Sequence, residues 1–297
     1  MTCSPIALFC YKRLDHLKQV ILSLLENEEA PCTQVIIFSD GPKGPSDYQD
    51  VLNVRKYLST ITGFKSVSII EQQKNLGLAN SIIMGVSKVL EQFENVIVLE
   101  DDIVVSKYFL KYMNQMLSMY KDDTNVASIH AYVYPIKNLP NDCFFLKGAD
   151  CWGWGTWRRA WKFFESDGKI LLNSILEKKR VSEFNFKDSY PFLDMLNDQI
   201  NGRNNSWAIR WNASAFVNDM LTLYPSRSFV KNIGLDNSGT HCEETTEYDV
   251  ELVDNYLGYE RIKIEHSQDA YNKFAIYFSS NKNSFFKKIF KIIKRHI

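Results

Sequence analysis

Glu100, Asp101 and Asp102 stand in a row within "NVIVLEDDIVVS", directly after four apolar β-formers and directly before a second apolar group, 103–105. Adjacent carboxylates repel one another and Asp is a poor strand residue, so the row calls for a compensating charge. Asp40, closing "TQVIIFSDG", is another acid placed straight after an apolar run. Acids clustered in this way suit a hard divalent cation. Mg²⁺ or Mn²⁺ takes oxygen ligands, commonly one or two carboxylates, with water and substrate phosphates filling the remaining positions. The plainer alternative is a solvated acidic turn. Apolar residues on both sides favour a tight strand break over a loose surface loop.

The elements that must position these acids alternate along the first hundred residues. "PIALFCY" is an apolar run, and "LDHLKQVILSLLEN" repeats Leu14, Leu17, Ile21, Leu24 and Leu25 at helical spacing. "TQVIIFSDG", a polar helix candidate "SDYQDVLNVRKYLSTI", the strand "SVSIIEQ", the helix "NLGLANSIIMGVSKVLEQF" and the strand "NVIVL" follow in order. Strand–helix alternation predicts an α/β fold, with a mostly parallel central sheet flanked by helices. Ligands of such sheets bind beyond the carboxyl ends of the strands, so Asp40 and 100–102 are expected to share one crevice. After 106 the rhythm breaks into a helix candidate over 106–120 and the strands "NVASIHAY" and "DCFFLKG". A Gly/Trp-rich loop and helix candidates near 188–201 and 207–219 come next. No repeat or linker divides the chain. The expected organisation is one domain over 1–265, in two halves that meet at about 105, the second one helical. A segment over 266–297 follows.

Composition narrows the class. Of 297 residues, 45% are apolar and 24% charged, ordinary for a globular chain that buries a substantial core. Formal net charge is zero, so nothing global points to nucleic acid. The last sixteen residues hold six Lys/Arg and no acid, leaving 29 basic and 35 acidic residues elsewhere. The six cysteines are scattered without a CxxC pair, which predicts free thiols in a reducing compartment. The N-terminus reads as no signal peptide, and no apolar run approaches a membrane span. Neither GxxxxGK[ST] nor GxGxxG occurs, so phosphates would be met by metal and side chains.

In this order, "IALFCYKRLDHLKQVILSLL", "IIFSDGPKG", "NLGLANSIIMGV", "VIVLEDDIVVSKYFLKYM" and "GWGTW" resemble a GT-A fold glycosyltransferase. The pattern is similar to bacterial surface-polysaccharide transferases related to the Golgi N-acetylglucosaminyltransferases that act on mannose, which carry a Glu-Asp-Asp variant of the Asp-X-Asp motif. The resemblance covers about residues 5–245. It implies a Rossmann-like GT-A sheet and a hexosyl- or N-acetylhexosaminyltransferase. The implied donor is a UDP-sugar, the cofactor Mn²⁺ or Mg²⁺, and the acceptor a glycan or lipid-linked saccharide. Residue by residue, Tyr11 and Arg13 would line the nucleotide pocket and Asp40 would accept from the uracil N3–H. Asn75 and Gly77 would lie by the ribose and diphosphate. Asp101 would hold the ribose or donor sugar, Asp102 would ligate the metal, and Glu100 would orient donor hydroxyls or the metal's waters. Arg13 and Asn75 also suit ordinary roles before a helix and in a turn.

"CWGWGTWRRAW" offers aromatic faces beside glycines, which suit a sugar ring. Trp152 and Trp154 are the candidates there; Trp157 and Trp161, four apart, read as core. An inverting transfer needs a base, which the Golgi relatives supply as an Asp just before a Trp. Here "GRNNSWAIRW" places Asn205 and Ser206 before Trp207. Asp194, Asp198 and Asp236 are the substitute base candidates. His241, in "NIGLDNSGTHC", would complete a metal shell or simply serve its loop. Arg210 and Arg227 could balance diphosphate charge. The tail "NSFFKKIFKIIKRHI" sets Phe285, Ile289, Ile292 and Ile293 on one helical face ringed by Lys and Arg, the pattern of an interfacial helix for an anionic membrane. These readings place the protein in the cytoplasm, peripheral on the inner face of the plasma membrane. A nucleotidyltransferase making nucleotide sugars is a rival, though its Gly-rich basic N-terminal loop is missing from "LFCYKRLDHL". A non-catalytic GT-A relative that binds nucleotide or glycan is the other.

Overall fold

The computed structural model describes residues 3–140, 142–236 and 247–280. The apolar runs of the first hundred residues form the strands β1 (Ile6–Cys10), β2 (Gln34–Ser39), β3 (Ser66–Glu71) and β4 (Asn95–Glu100). Between them lie the helices α1 (Leu14–Leu25), α2 (Tyr48–Leu58) and α3 (Leu78–Gln92). All five residues of β1 are buried, as a central parallel strand covered on both faces requires. Helix α1 buries Leu17, Val20, Ile21 and Leu24, one stripe at three- and four-residue spacing.

The later elements are β5 (Ile103–Val105), α4 (Phe109–Met119), β6 (Val126–His130), β7 (Cys143–Lys147), β8 (Trp154–Trp157) and α5 (Arg158–Trp161). They continue with α6 (Gly168–Glu177), α7 (Val181–Phe184), α8 (Phe192–Ile200), α9 (Trp207–Val217), β9 (Leu221–Pro225) and β10 (Val230–Asn232). The main sheet runs β3-β2-β1-β4-β8-β6-β9-β7, and a two-stranded sheet pairs β10 with β5. Pairs β1–β2, β1–β4, β2–β3 and β6–β9 are parallel; β4–β8, β6–β8 and β7–β9 are antiparallel. The fold is thus α/β, with a large mostly parallel central sheet flanked by helices.

Two expectations change. Part of the Gly/Trp-rich stretch is not loop but β8, inserted in the middle of the sheet, where Gly155 lies close to the Val96 carbonyl and the Met113 and Leu117 side chains. The cysteines are not all free either, since Cys3 and Cys32 form a disulfide with Cα atoms 6.0 Å apart. Parallel pairing explains it: β1 and β2 lie side by side with Ile6 opposite Val35, so the residues entering both strands meet despite 29 positions of separation. Cys10, Cys143 and Cys151 are free. A C-terminal helix over 268–280 docks Tyr271, Phe274 and Phe278 against Phe144, Leu146 and Tyr224 at the β7 end of the sheet. No helix among the described residues is long and apolar enough to cross a membrane.

Candidate active site

The carboxyl ends of β1, β2 and β4 are adjacent, which brings Tyr11, Asp40 and the acidic row to one rim. Asp101 and Asp102 are buried and Glu100 half-buried. The compensating charge is Arg13, three residues past β1. Its Nη2 donates to Asp101 Oδ1 at 2.7 Å and to Asp102 Oδ2 at 2.6 Å. One cationic nitrogen therefore sits between the two carboxylates. Burial works against the Arg13 charge, but the two aspartates outweigh it and raise its pKa. The Asp101 carboxyl is raised by burial, against the opposing pull of Arg13; Glu100 is raised by burial and then by the charges of Asp102 and Asp101.

Neighbouring contacts make the rim rigid. Tyr11 donates its N–H to Asp101 Oδ2 at 3.2 Å and its hydroxyl to Asp47 Oδ2 at 2.5 Å. Burial and that acceptor lift the Tyr11 phenol to about 12. Asp40 accepts from the N–H groups of Gly41 and Leu76 at 2.8 Å and of Gly77 at 3.0 Å. Its carboxylate thus ties β2 to the start of α3. Gly77 there has φ +74°, a conformation that L side chains rarely adopt. Asn75 donates to the Gly41 carbonyl at 2.9 Å.

A second strap crosses the acids. Pairing of β10 with β5 brings the chain back to the break, where the Ile233 N–H donates to the Asp102 carbonyl at 2.9 Å. Gly234 then packs so closely that a Cβ there would lie 2.2 Å from Asp102 Oδ2 and 2.7 Å from Arg13 Nη1. Asp236 closes the strap on α1 through His16 Nε2 at 3.1 Å.

The remaining expected residues separate. Trp152 is partly exposed at the rim, with its ring 4.8 Å from that of Tyr132. Trp154 is fully buried among Trp161, Trp207 and Trp211 and has no face left for a sugar, which corrects its reading as a site residue. The sequence reading missed the cause: β8 begins at Trp154, whose ring packs on the tryptophans of α5 and α9, while Trp152 lies before the strand. Asp236 lies at the crevice edge on the strap. Asp194 is exposed on α8, and Asp198, on the same helix, is tied to Arg203. Helix α8 packs on α6 and α9, away from β4. Ser206 caps α9, accepting from the Ile209 N–H at 3.2 Å, and Asn205 accepts from Arg210. Arg227 pairs with Asp254. His241 lies outside the described residues.

A phosphate-bound Mg²⁺ or Mn²⁺ needs only one or two carboxylates from the protein. Among the described residues no three His, Cys, Asp or Glu side chains converge on a metal position. Asp101 and Asp102 do converge as a pair on one positive centre, the role Arg13 fills. The donor set fits a cation completed by substrate oxygens better than one held by protein alone.

A mostly parallel α/β sheet with carboxylates converging at the end of a central strand is the architecture of a GT-A, Rossmann-like fold. Residues 6–171 match Glycosyl transferase family 2, and the chain belongs to that family. No curated protein matches the chain. Among solved structures it is similar to the mannosyltransferase PcManGT from Pyrobaculum calidifontis, in complex with GDP-Man and Mn²⁺. Identity there is 11% and TM-score 0.33, over 46% of this chain and 37% of that one. TarS of S. aureus is similar at 13% identity and TM-score 0.33, over 50% of this chain and 25% of that one. The chain thus spans well under half of either structure.

Proposed function

We propose that the protein transfers a hexosyl or N-acetylhexosaminyl group from a UDP-sugar to a glycan or lipid-linked saccharide, with a divalent cation and inversion at the anomeric carbon. The observation that carries this reading is the convergence of Asp101 and Asp102 on one cationic nitrogen at the end of β4. Asp102, with His241 as a further ligand, would hold Mn²⁺ or Mg²⁺. Bound there, the cation would neutralise charge on the departing diphosphate. Arg13 would be released from the acids when a cation takes its place, freeing its guanidinium for phosphate oxygens. Asp40 would accept from the base, its backbone partners fixing its direction. Tyr11, Asn75 and Gly77 would shape the nucleotide pocket, and Asp101 and Glu100 would face ribose and sugar hydroxyls. Residues up to about 105 form the donor half and those to about 265 the acceptor half.

The test is UDP release from a panel of UDP- and GDP-sugars with Mn²⁺. Release confined to one or more UDP-sugars is expected; release only from GDP-sugars contradicts the donor assignment. A non-catalytic relative is the second reading, favoured by Ser206, which caps a helix where a base would stand. Turnover of no sugar nucleotide, with UDP still bound, would select it.

The basic tail over 282–297 lies outside the described residues. Its sequence pattern supports attachment to anionic membrane on the cytoplasmic face. Deleting 282–297 should release the protein from anionic liposomes; unchanged sedimentation refutes the anchor. The Cys3–Cys32 disulfide argues for an oxidising compartment instead. Non-reducing peptide mapping of protein taken from cells decides, because linked Cys3 and Cys32 peptides contradict the cytoplasmic placement.

A further inference from the structure

Pairing places the turn before β8 directly at the acidic rim. Strand β8 runs antiparallel to β4 with Val98 opposite Trp154. Pairing stops there, and Gly153, at φ +63°, turns the chain just before the strand. The segment 148–152 therefore runs from Met220 and Asn212, beside the start of β9, to His130 at the end of β6, reaching the rim end of the sheet from the β8 side of β4, whereas Arg13 comes from the β1 side. Asp150 heads it. Its Oδ1 accepts from the Cys151 N–H at 2.8 Å, and the flanking backbone is pinned on both sides. Ala149 N–H donates to Asn212 Oδ1 at 3.1 Å and Trp152 N–H to His130 Nε2 at 3.1 Å.

Three observations give this carboxylate a use. Cys151 feels both Asp150 and the acidic row: its thiol is pushed up by burial, then by the charges of Asp150 and Glu100, with Asp102 contributing less. Asp150 has no ion-pair partner among the described residues, whereas Asp198 is held by Arg203. The surroundings are aromatic and half-open. Tyr132 lies 4.8 Å from Trp152 and 5.3 Å from Tyr134, and Trp152 lies 5.8 Å from Tyr248. Trp152, Tyr134, Tyr190 and Tyr248 are all partly exposed. Burial and then the Asp150 charge raise the phenols of Tyr134 and Tyr224. A carboxylate within a wall of aromatic faces and phenol hydroxyls suits a saccharide, whose C–H face stacks while its hydroxyls find acceptors.

We propose that Asp150 is the base that activates the acceptor, and that the aromatic basin of Tyr134, Trp152 and Tyr248, backed by buried Tyr132, holds the acceptor sugar. The inference rests on the transferase reading above. Asp150 takes the proton of an acceptor hydroxyl as that oxygen bonds to C1 of the donor sugar. The C1–O bond to the diphosphate breaks and its electron pair leaves on UDP.

The test uses the full chain, Mn²⁺, a UDP-sugar panel as donors and p-nitrophenyl glycosides as acceptors, reading UDP release. Asp150→Asn keeps an oxygen for the Cys151 N–H, and UDP affinity by calorimetry monitors its folding and donor site. Expected is a fall in release of at least about 100-fold with UDP affinity within about twofold of wild type. Release by Asp150→Asn at the wild-type rate overturns the assignment, as does loss confined to Asp198→Asn or Asp236→Asn. A wild type that releases UDP from no donor contradicts the transferase reading itself, and the base with it.

Discussion

Arg13 donates from a single nitrogen to Asp101 and Asp102, so its removal leaves two buried carboxylates facing each other and Glu100 with no cation between them. Breaking a buried pair from one side costs about 3–5 kcal/mol, because the abandoned charge stays desolvated. Arg13→Ala should therefore melt well below wild type in metal-free buffer. Millimolar Mn²⁺ should restore much of the difference, since a divalent cation replaces the missing charge. A melting temperature that falls equally with and without Mn²⁺ would show that the two acids do not accept a metal. The acids were legible from sequence because three carboxylates in an apolar setting demand an explanation. Their partner was not. Arg13 lies 88 and 89 positions away, and nothing local distinguishes it from an arginine preceding a helix.

At the scale of elements, the strap from β10 over the acidic break is held by backbone pairing at one end and by His16–Asp236 at the other. Gly234 is its point of closest approach. Gly234→Ala drives a methyl group into Asp102 and Arg13, a strain of about 1–3 kcal/mol when neighbours must shift. The variant should weaken Mn²⁺-dependent UDP binding by about tenfold or more while the sheet stays folded by circular dichroism. Wild-type affinity would mean that the strap leaves the rim when ligand binds. The first four strands and three helices could be read in order, because buried parallel strands are continuous apolar runs and their helices carry a 3.6-residue stripe. Strand β8 could not. Its "WGTW" has two large residues flanking Gly and Thr, and only long-range pairing with β4 and β6 makes it a strand.

For the whole molecule, the parallel half built on β1–β4 carries the acids, and the antiparallel insertion of β8 brings Asp150 and Trp152 to the same rim from the other side. The Cys3–Cys32 disulfide closes the opposite end, where β1 and β2 begin, so its reduction is remote from the crevice. What joins these parts into one account is a cation-dependent nucleotide site at the end of β4. Calorimetric titration of UDP into wild type and Asp102→Ala, each with and without Mn²⁺, tests it most directly. The account predicts UDP binding by wild type that depends on Mn²⁺ and is lost, or weakened at least tenfold, in Asp102→Ala. UDP binding that needs no Mn²⁺ and is unchanged by Asp102→Ala would contradict it.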